Sequence, residues 1–146
     1  MTNYRERLWP APWLFFATAL VIPASLLVFV PIDLVVGAVV AVVLYAGCCI
    51  GLLLASPVIQ ITEGDFVAGK ARLPREFIGD AMAFTGDEAV LERGQRLDAR
   101  AWLLLRGWVA PVVRVDVLDQ DDPTPYWLVS TRNPSALVEA LGSARG

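Results

Sequence analysis

Two long stretches of the chain carry no charged residue, and this feature restricts the fold more than any other. Trp13–Val30 is an uncharged run of 18 residues, and Leu34–Ala55 is one of 22 residues. An α-helix rises about 1.5 Å per residue, so about 20 apolar residues cross a hydrocarbon layer of about 30 Å. Only Pro31-Ile32-Asp33 separates the runs, and a proline followed by a charge is typical of a tight turn. The sequence therefore predicts a transmembrane helical hairpin with spans 13–30 and 34–55.

Two other interpretations of an apolar N-terminus have to be weighed against two spans. A cleaved signal peptide is followed by a small-residue cleavage site and a polar mature start, whereas here a second apolar run follows at once. Two helices in the core of a soluble protein rarely lack charge along both runs. We therefore favour the membrane hairpin and expect Pro23 to kink its first span.

The distribution of basic residues predicts the orientation of the hairpin. Five of them flank the spans: Arg5 and Arg7 before the first, and Lys70, Arg72 and Arg75 after the second. The turn at residues 31–33 has none. Because basic residues stay on the cytoplasmic side of a membrane, residues 1–12 and 56–146 are both predicted to be cytoplasmic. The protein is then a multi-pass protein of the plasma membrane.

Composition argues against several classes of function. The chain has 12 Lys and Arg against 15 Asp and Glu, which disfavours nucleic acid as a partner. It has no histidine, and its two cysteines, Cys48 and Cys49, are adjacent within an apolar run, a pattern unlike a metal site or a disulfide framework. No phosphate-binding loop, dinucleotide fingerprint or nucleophile elbow is present. We predict no catalytic residue, cofactor or metal, and no enzyme; an enzyme using carboxylates such as Asp98 or Asp116 would need a pocket that holds several of them.

The second half of the chain has the pattern of a small β-domain. Alternating and aliphatic runs predict strands at 58–62, in the following FVAGKARL, and at 77–84, 99–109, 112–118 and 126–131. The last two are expected to pair as a hairpin. Thr85 and Glu88 have capping-box spacing for a helix at about 86–93. Asn133-Pro134 begins a helix predicted to end at Gly142, over 134–141.

These elements predict an α+β membrane protein. A helical hairpin at 13–55 is followed at 56–146 by a small, mostly antiparallel β-domain with a C-terminal helix. Several short strands with one closing helix resemble a pleckstrin-homology-like fold, a partly open barrel, by analogy at the level of fold.

Several residue groups are candidates for binding, each with a plainer structural interpretation. Lys70, Arg72 and Arg75 could contact anionic lipid headgroups or could serve only as topology signals. Four aromatic residues could mark a partner surface if exposed, or else pack in the core: Trp102, Trp108, Tyr126 and Trp127. Gly47 and Gly51 could pack against the first span or form a homodimer.

Two polar segments have the same ambiguity. Asp119, Asp121 and Asp122 could bind a hard cation, but turn chemistry suits them better because the glycine and glutamate of an EF-hand loop are absent. Ser130-Thr131-Arg132 precedes a helix N-terminus and could hold an anion, although capping by Thr131 or Asn133 is favoured.

Three segments carry a resemblance to a known family: GDFVAGKARLP, LDARAWLLLRGWV and DDPTPYWLVSTRNP. Together with the two N-terminal spans they resemble a family of small actinobacterial membrane proteins, catalogued as a domain of unknown function, number 3093. The resemblance covers nearly the whole chain and implies location and layout, with no activity or ligand. We therefore predict a membrane-anchored, non-enzymatic interaction or scaffold module with a protein partner. The alternative is a lipid- or small-ligand-binding membrane module.

Overall fold

A computed structural model describes residues 2–145 of the chain, and the side chains of residues 4–144, as an α+β protein. It has two compact units: a β-domain, made of the chain up to Leu8 and from Pro57 onward, and a helical hairpin, Trp9–Ser56. The predicted class, with N-terminal helices, antiparallel sheets and a C-terminal helix, is confirmed. The elements are β1 Thr2–Arg7, α1 Pro12–Thr18, α2 Val21–Phe29, α3 Leu34–Leu54, β2 Val58–Thr62, β3 Asp65–Ala68, β4 Ala71–Pro74, a 3₁₀ turn Arg75–Phe77, β5 Ile78–Phe84, α4 Gly86–Arg93, β6 Trp102–Leu104, β7 Val112–Val117, β8 Tyr126–Ser130 and α5 Pro134–Arg145.

The first apolar run is divided into α1 and α2 at Ala19 and Leu20. Pro23 has no N–H to donate to the Ala19 carbonyl four residues earlier, and its ring crowds that carbonyl. The Ala19 oxygen accepts a shorter-range hydrogen bond from the Ile22 N–H at 3.0 Å instead. The kink predicted from Pro23 therefore lies one turn before the proline.

The only charge between the two apolar runs caps α3. Asp33 Oδ1 accepts hydrogen bonds from the N–H groups of Val35 at 2.8 Å and Val36 at 3.4 Å, which would otherwise have no partner at a helix start. One turn later, a Cβ added at Gly37 would lie 3.0 Å from Phe29 Cβ. Glycine at this position therefore permits the close approach of α2 and α3.

Two helical stretches have the length and composition to cross a membrane. They are Pro12–Phe29, taken as one stretch, and Leu34–Leu54. Only 6% and 11% of the residues in their apolar windows are buried. Most residues of these windows are therefore not buried.

The first sheet contains the strands on either side of the helical hairpin. Its order is β1-β2-β3-β4, and all pairs are antiparallel. The predicted pairing of 58–62 with the start of FVAGKARL is confirmed as β2 and β3, but the single strand predicted over FVAGKARL is wrong, because a turn at Gly69 and Lys70 divides it into β3 and β4. β1, for which the sequence predicts no strand, pairs along the edge of β2 with Glu6 opposite Ile59. This pairing satisfies backbone groups that an unpaired β2 edge would expose.

The second sheet has the order β5-β7-β8-β6. The predicted hairpin of β7 and β8 is confirmed, with Val113 opposite Val129. The strand predicted at 99–109 is wrong in length, because only Trp102–Leu104 pairs, and it pairs parallel to β8. The N–H of Arg106 then donates to Ser130 Oγ at 3.1 Å, a side-chain contact that takes the place of the ladder.

The two helices of the β-domain match their predicted starts but not every detail. α4 spans the predicted residues, but the side chain of Thr85 makes no capping hydrogen bond, so that part of the capping-box prediction is wrong. α5 begins at Pro134 as predicted and continues past Gly142 to Arg145. The predicted end at 141 is wrong because Ala144 is buried in the core and extends the helix by a turn.

One hydrophobic core joins both sheets and α5. Phe66 from the first sheet, Trp127 from the second and Leu137 from α5 all belong to this buried cluster. A smaller cluster includes Ala89 from α4 and Leu128 from β8. Since alternate residues of β8 belong to the two clusters, both faces of this strand are covered, and all five of its residues are buried.

Candidate functional site

The chain leaves the β-domain and returns to it at two neighbouring points. The Leu8 N–H donates to the Pro57 carbonyl at 2.9 Å. The indole N–H of Trp108 donates to the Leu8 carbonyl at 3.1 Å, and Leu8 itself is fully buried. The two connections to the helical hairpin are therefore held side by side by hydrogen bonds within the β-domain.

The carboxylate of Glu6 joins β1 to the start of α5. It accepts hydrogen bonds from Tyr4 Oη at 2.9 Å, from the Thr131 hydroxyl, and from the Arg132 N–H at 2.8 Å. Thr131 Oγ1 in turn accepts from the Asn133 N–H at 3.1 Å. The anion at this helix start is thus a side chain of the protein itself, and Thr131 takes part in holding the turn. Sequence reasoning missed this cluster because Glu6 and Thr131 are distant in the chain.

Tyr4→Phe is expected to reduce the loss of stability at alkaline pH. Burial is the largest cause that raises the pKa of Tyr4 to about 12, and the nearby Glu6 carboxylate also raises it. An unfolded tyrosine titrates near pH 10, so its contribution to stability is complete below about pH 10 and is lost as the pH rises towards about 12. Denaturant midpoints of the full chain in detergent, measured across this range, should fall more steeply for the wild type. If the midpoint fell equally steeply with pH in both proteins, the raised pKa of Tyr4 would be contradicted.

The aromatic residues mostly belong to the core. Tyr126 and Trp127 are 4% and 5% exposed, so they do not meet the condition of exposure on which the predicted partner surface depended. The Trp127 ring centroid lies 4.5 Å from that of Trp102 and 5.6 Å from that of Phe66. Trp108 and Trp102 are partly buried against the same core. The plainer interpretation of these aromatic residues therefore fits the structure.

The three candidate lipid contacts do not converge. Arg72 pairs with Asp65 at 3.1 Å between Nη1 and Oδ2. Lys70 follows Gly69, whose N–H donates to the Val58 carbonyl at the start of β2. Arg75 lies past the other end of β4, where its N–H donates to the Gly64 carbonyl at 2.9 Å. Lys70 and Arg75 are therefore at opposite ends of one strand.

The carboxylates singled out from the sequence are paired or used in turns. Asp98 is bound by Arg100 at 3.1 Å, and hydrogen bonds from Arg100 hold the pKa of this carboxyl below its usual value. Asp116 faces Arg114 Nε at 3.4 Å. Asp119 Oδ1 accepts from the Asp121 N–H at 2.9 Å, as in a turn. Among the described residues, no group of three or more His, Cys, Asp or Glu could hold a metal ion.

The glycines proposed for helix packing lie on an open face of α3. A Cβ added at Gly47 or Gly51 would meet no atom within 4 Å. The close approach of α2 and α3 depends on Gly37 instead, so packing of Gly47 and Gly51 against the first span is not observed. The homodimer through these two residues stays a prediction.

One open cleft of the β-domain was not predicted. It has a volume of about 550 Å³ and is lined by Gly64, Pro74, Arg75, Glu76, Ile78 and Leu118. These residues come from the β2–β3 turn, the end of β4, the 3₁₀ turn, the start of β5 and the residue that follows β7. No local pattern in the sequence could have grouped them, because only the pairing of both sheets brings these segments together.

Comparison with known proteins identifies a family but no characterised relative. A family model described as "Protein of unknown function (DUF3093)" matches residues 3–141. No curated protein and no solved structure matches the chain.

Proposed function

We propose that this chain, which belongs to the DUF3093 family of proteins of unknown function, is a membrane-anchored, non-enzymatic interaction module. In this proposal the helical hairpin crosses the plasma membrane twice. The β-domain lies on the cytoplasmic side with both chain termini and binds a protein partner there.

One observation carries the proposal: the helical hairpin is inserted between two paired strands. β1 ends at Arg7 and β2 begins at Val58, and these two residues are paired opposite each other. Both connections therefore leave from the same end of the β1–β2 pair. The Leu8–Pro57 hydrogen bond follows the Arg7–Val58 pair directly, so no linker residue intervenes between them. A domain attached in this way, by both of its connections, suits a role as a binding module tethered to a membrane.

Two properties support spans over the other interpretations of apolar helices. A soluble core helix is mostly buried, whereas only 6% and 11% of these apolar windows are. Cleavage of a signal sequence after the first apolar run would separate β1 from the domain to which Glu6 is hydrogen-bonded through Thr131 and Arg132. Each property argues for a retained hairpin in the lipid.

Charge supports the cytoplasmic orientation. Arg5 and Arg7 precede the hairpin, and the 31–33 turn has no basic residue, as expected for a turn that crosses to the outside. A pleckstrin-homology-like description of the β-domain remains part of the proposal. It is supported by two four-stranded sheets and a C-terminal helix. An actinobacterial origin remains an implication of the family resemblance.

The structure favours a protein partner over anionic lipid as the ligand. The basic residues Lys70 and Arg75 lie at opposite ends of β4, and Arg72 is paired with Asp65. A lipid headgroup site needs several convergent basic groups. A homodimer through Gly47 and Gly51 would add a second contact within the membrane.

Single cysteines introduced into a chain with Cys48 and Cys49 replaced by alanine should report the topology. Ile32 lies in the 31–33 turn and is 75% exposed, and Gly107 lies in an open loop of the β-domain. With a membrane-impermeant maleimide, Ile32→Cys should be labelled in intact cells and Gly107→Cys only after lysis. Labelling of both in intact cells, or release of the protein from membranes by alkaline carbonate, would refute the proposed arrangement.

A further inference from the structure

The 550 Å³ cleft lies at the end of the β-domain away from the hairpin connections. β2 starts next to Pro57 and runs to Thr62 before the turn at Gly64, which lines the cleft. At about 3.4 Å per residue, the end of β2 next to the cleft is roughly 17 Å farther along the strand than the Leu8–Pro57 contact. The cleft is therefore remote from the point where the chain enters the hairpin.

The walls of the cleft include apolar surface that is not packed against the rest of the domain. Leu118 is 55% exposed at the end of β7, although its N–H is held by the Phe77 carbonyl at 2.8 Å. Pro74 also lines the cleft, and Ile78, which is only 2% exposed and belongs to the core, lies beneath it. A concave site with an apolar wall is the usual setting for a side-chain anchor of a binding partner.

The surroundings of the cleft are acidic. Glu76 lines it, and the segment after Leu118 carries Asp119, Asp121 and Asp122. Arg75 is the one basic residue among the lining residues. Asp122 Oδ1 accepts a hydrogen bond from the Thr124 N–H at 2.9 Å, and Asp119 Oδ1 accepts one from the Asp121 N–H at 2.9 Å. Charge complementarity therefore favours a cationic ligand.

We propose that this cleft binds a basic peptide segment of a protein partner, with one apolar side chain seated against Leu118 and Pro74. An arginine or lysine residue next to that anchor would pair with Glu76, and the acidic segment that follows Leu118 would add a longer-range attraction. The inference rests on the proposed interaction function and names the site and the class of partner.

Replacement of Arg75 distinguishes a basic ligand from an acidic one. If the cleft held an acidic segment, Arg75 would be the main contact and Arg75→Ala would abolish binding. For a basic segment, Arg75 is a like charge, so Arg75→Ala should leave binding unchanged or strengthen it.

The test uses the full chain in detergent on an array of immobilised heptapeptides. The central residue is Leu, Phe, Ser or Asp, and the flanking residues are Arg, Ser or Glu. Binding should be strongest with Leu or Phe between arginines and should weaken with added salt. Glu76→Lys should weaken it by about tenfold or more, because a favourable charge pair becomes a repulsive one, and Leu118→Ser should weaken it by several-fold.

Matched control variants come from α4, which contributes no lining residue. Asp87→Lys makes the same reversal of charge, and Val90→Ser removes an apolar side chain that is 59% exposed. Both should bind like the wild type. The inference is overturned if no arginine-flanked peptide binds, if the α4 variants lose binding equally, or if Arg75→Ala abolishes it. Alkaline carbonate extraction of the same variants measures membrane anchoring independently of peptide binding. A variant that loses peptide binding but stays in the membrane pellet affects only the cleft, whereas release from the membrane would contradict the proposed anchoring.

Discussion

Glu6→Ala is expected to loosen the N-terminal strand and the start of the C-terminal helix together. The variant removes the acceptor for Tyr4 Oη, the Thr131 hydroxyl and the Arg132 N–H. Thr131 is fully buried, so its hydroxyl loses a charged acceptor without gaining water. Hydrogen bonds to charged groups contribute about 1.5–3 kcal/mol each, and since these share one partly exposed carboxylate, we expect a loss of about 3 kcal/mol in total.

Hydrogen exchange of the full chain in detergent would measure this effect locally. Amides in residues 2–8 and 131–137 should exchange faster in Glu6→Ala, although the two segments are far apart in sequence. Glu6→Gln should be intermediate, because its amide oxygen can still accept from Arg132 while its NH₂ group cannot accept from Thr131. Arg5→Ala removes the exposed neighbour on the same strand and should change neither segment. Faster exchange in residues 2–8 alone would contradict the role of Glu6 at α5.

Gly79→Ala is expected to destabilise the second sheet. The register of β5 against β7 shifts between Ile78 and Ala81, and β5 approaches β7 closely there. A Cβ added at Gly79 would lie 2.8 Å from the Asp116 carbonyl oxygen and 2.9 Å from Asp116 Cβ. Because one of these neighbours is backbone, no rotamer change removes the overlap. Overpacking typically costs about 1–3 kcal/mol, and we expect the upper part of that range.

Denaturant unfolding of the full chain, compared with Gly107→Ala, would check this expectation. A Cβ at Gly107 would meet no atom within 4 Å, and replacing an unstrained glycine by alanine slightly stabilises a protein. Gly79→Val should be worse than Gly79→Ala because it adds two methyl groups at the same contact. A Gly79→Ala protein as stable as Gly107→Ala would mean that β5 and β7 can move apart without loss.

Elements with strong local patterns were predictable from the sequence. The alternation of Val113 and Val115 with Arg114 identified β7, and Asn133-Pro134 identified the start of α5. Pro23 identified the kink in the first apolar run. In each case the deciding interactions lie within a few residues of each other, so a short window of sequence contains the physical cause.

Features that depend on long-range contacts were not predictable. β1 has the polar sequence TNYRER, which lacks the alternation of a half-buried strand. It becomes a strand because the edge of β2 and the donors around Thr131 are available to it in the folded domain. The parallel pairing of β6 with β8 and the cleft beside Leu118 have the same origin, since their partners are distant in the chain.

The insertion of the hairpin between β1 and β2 has a consequence for biosynthesis. Fifty residues, 8–57, separate the two strands, so at about 5–20 residues per second β1 leaves the ribosome several seconds before its partner exists. The β-domain can close only after the proposed membrane segment has been made and has brought its two ends together. Folding of the domain would then act as a check on insertion. If the hairpin did not bring β2 back beside β1, the edge of β2 would stay unpaired. Proteases and chaperones would then recognise the unfolded domain.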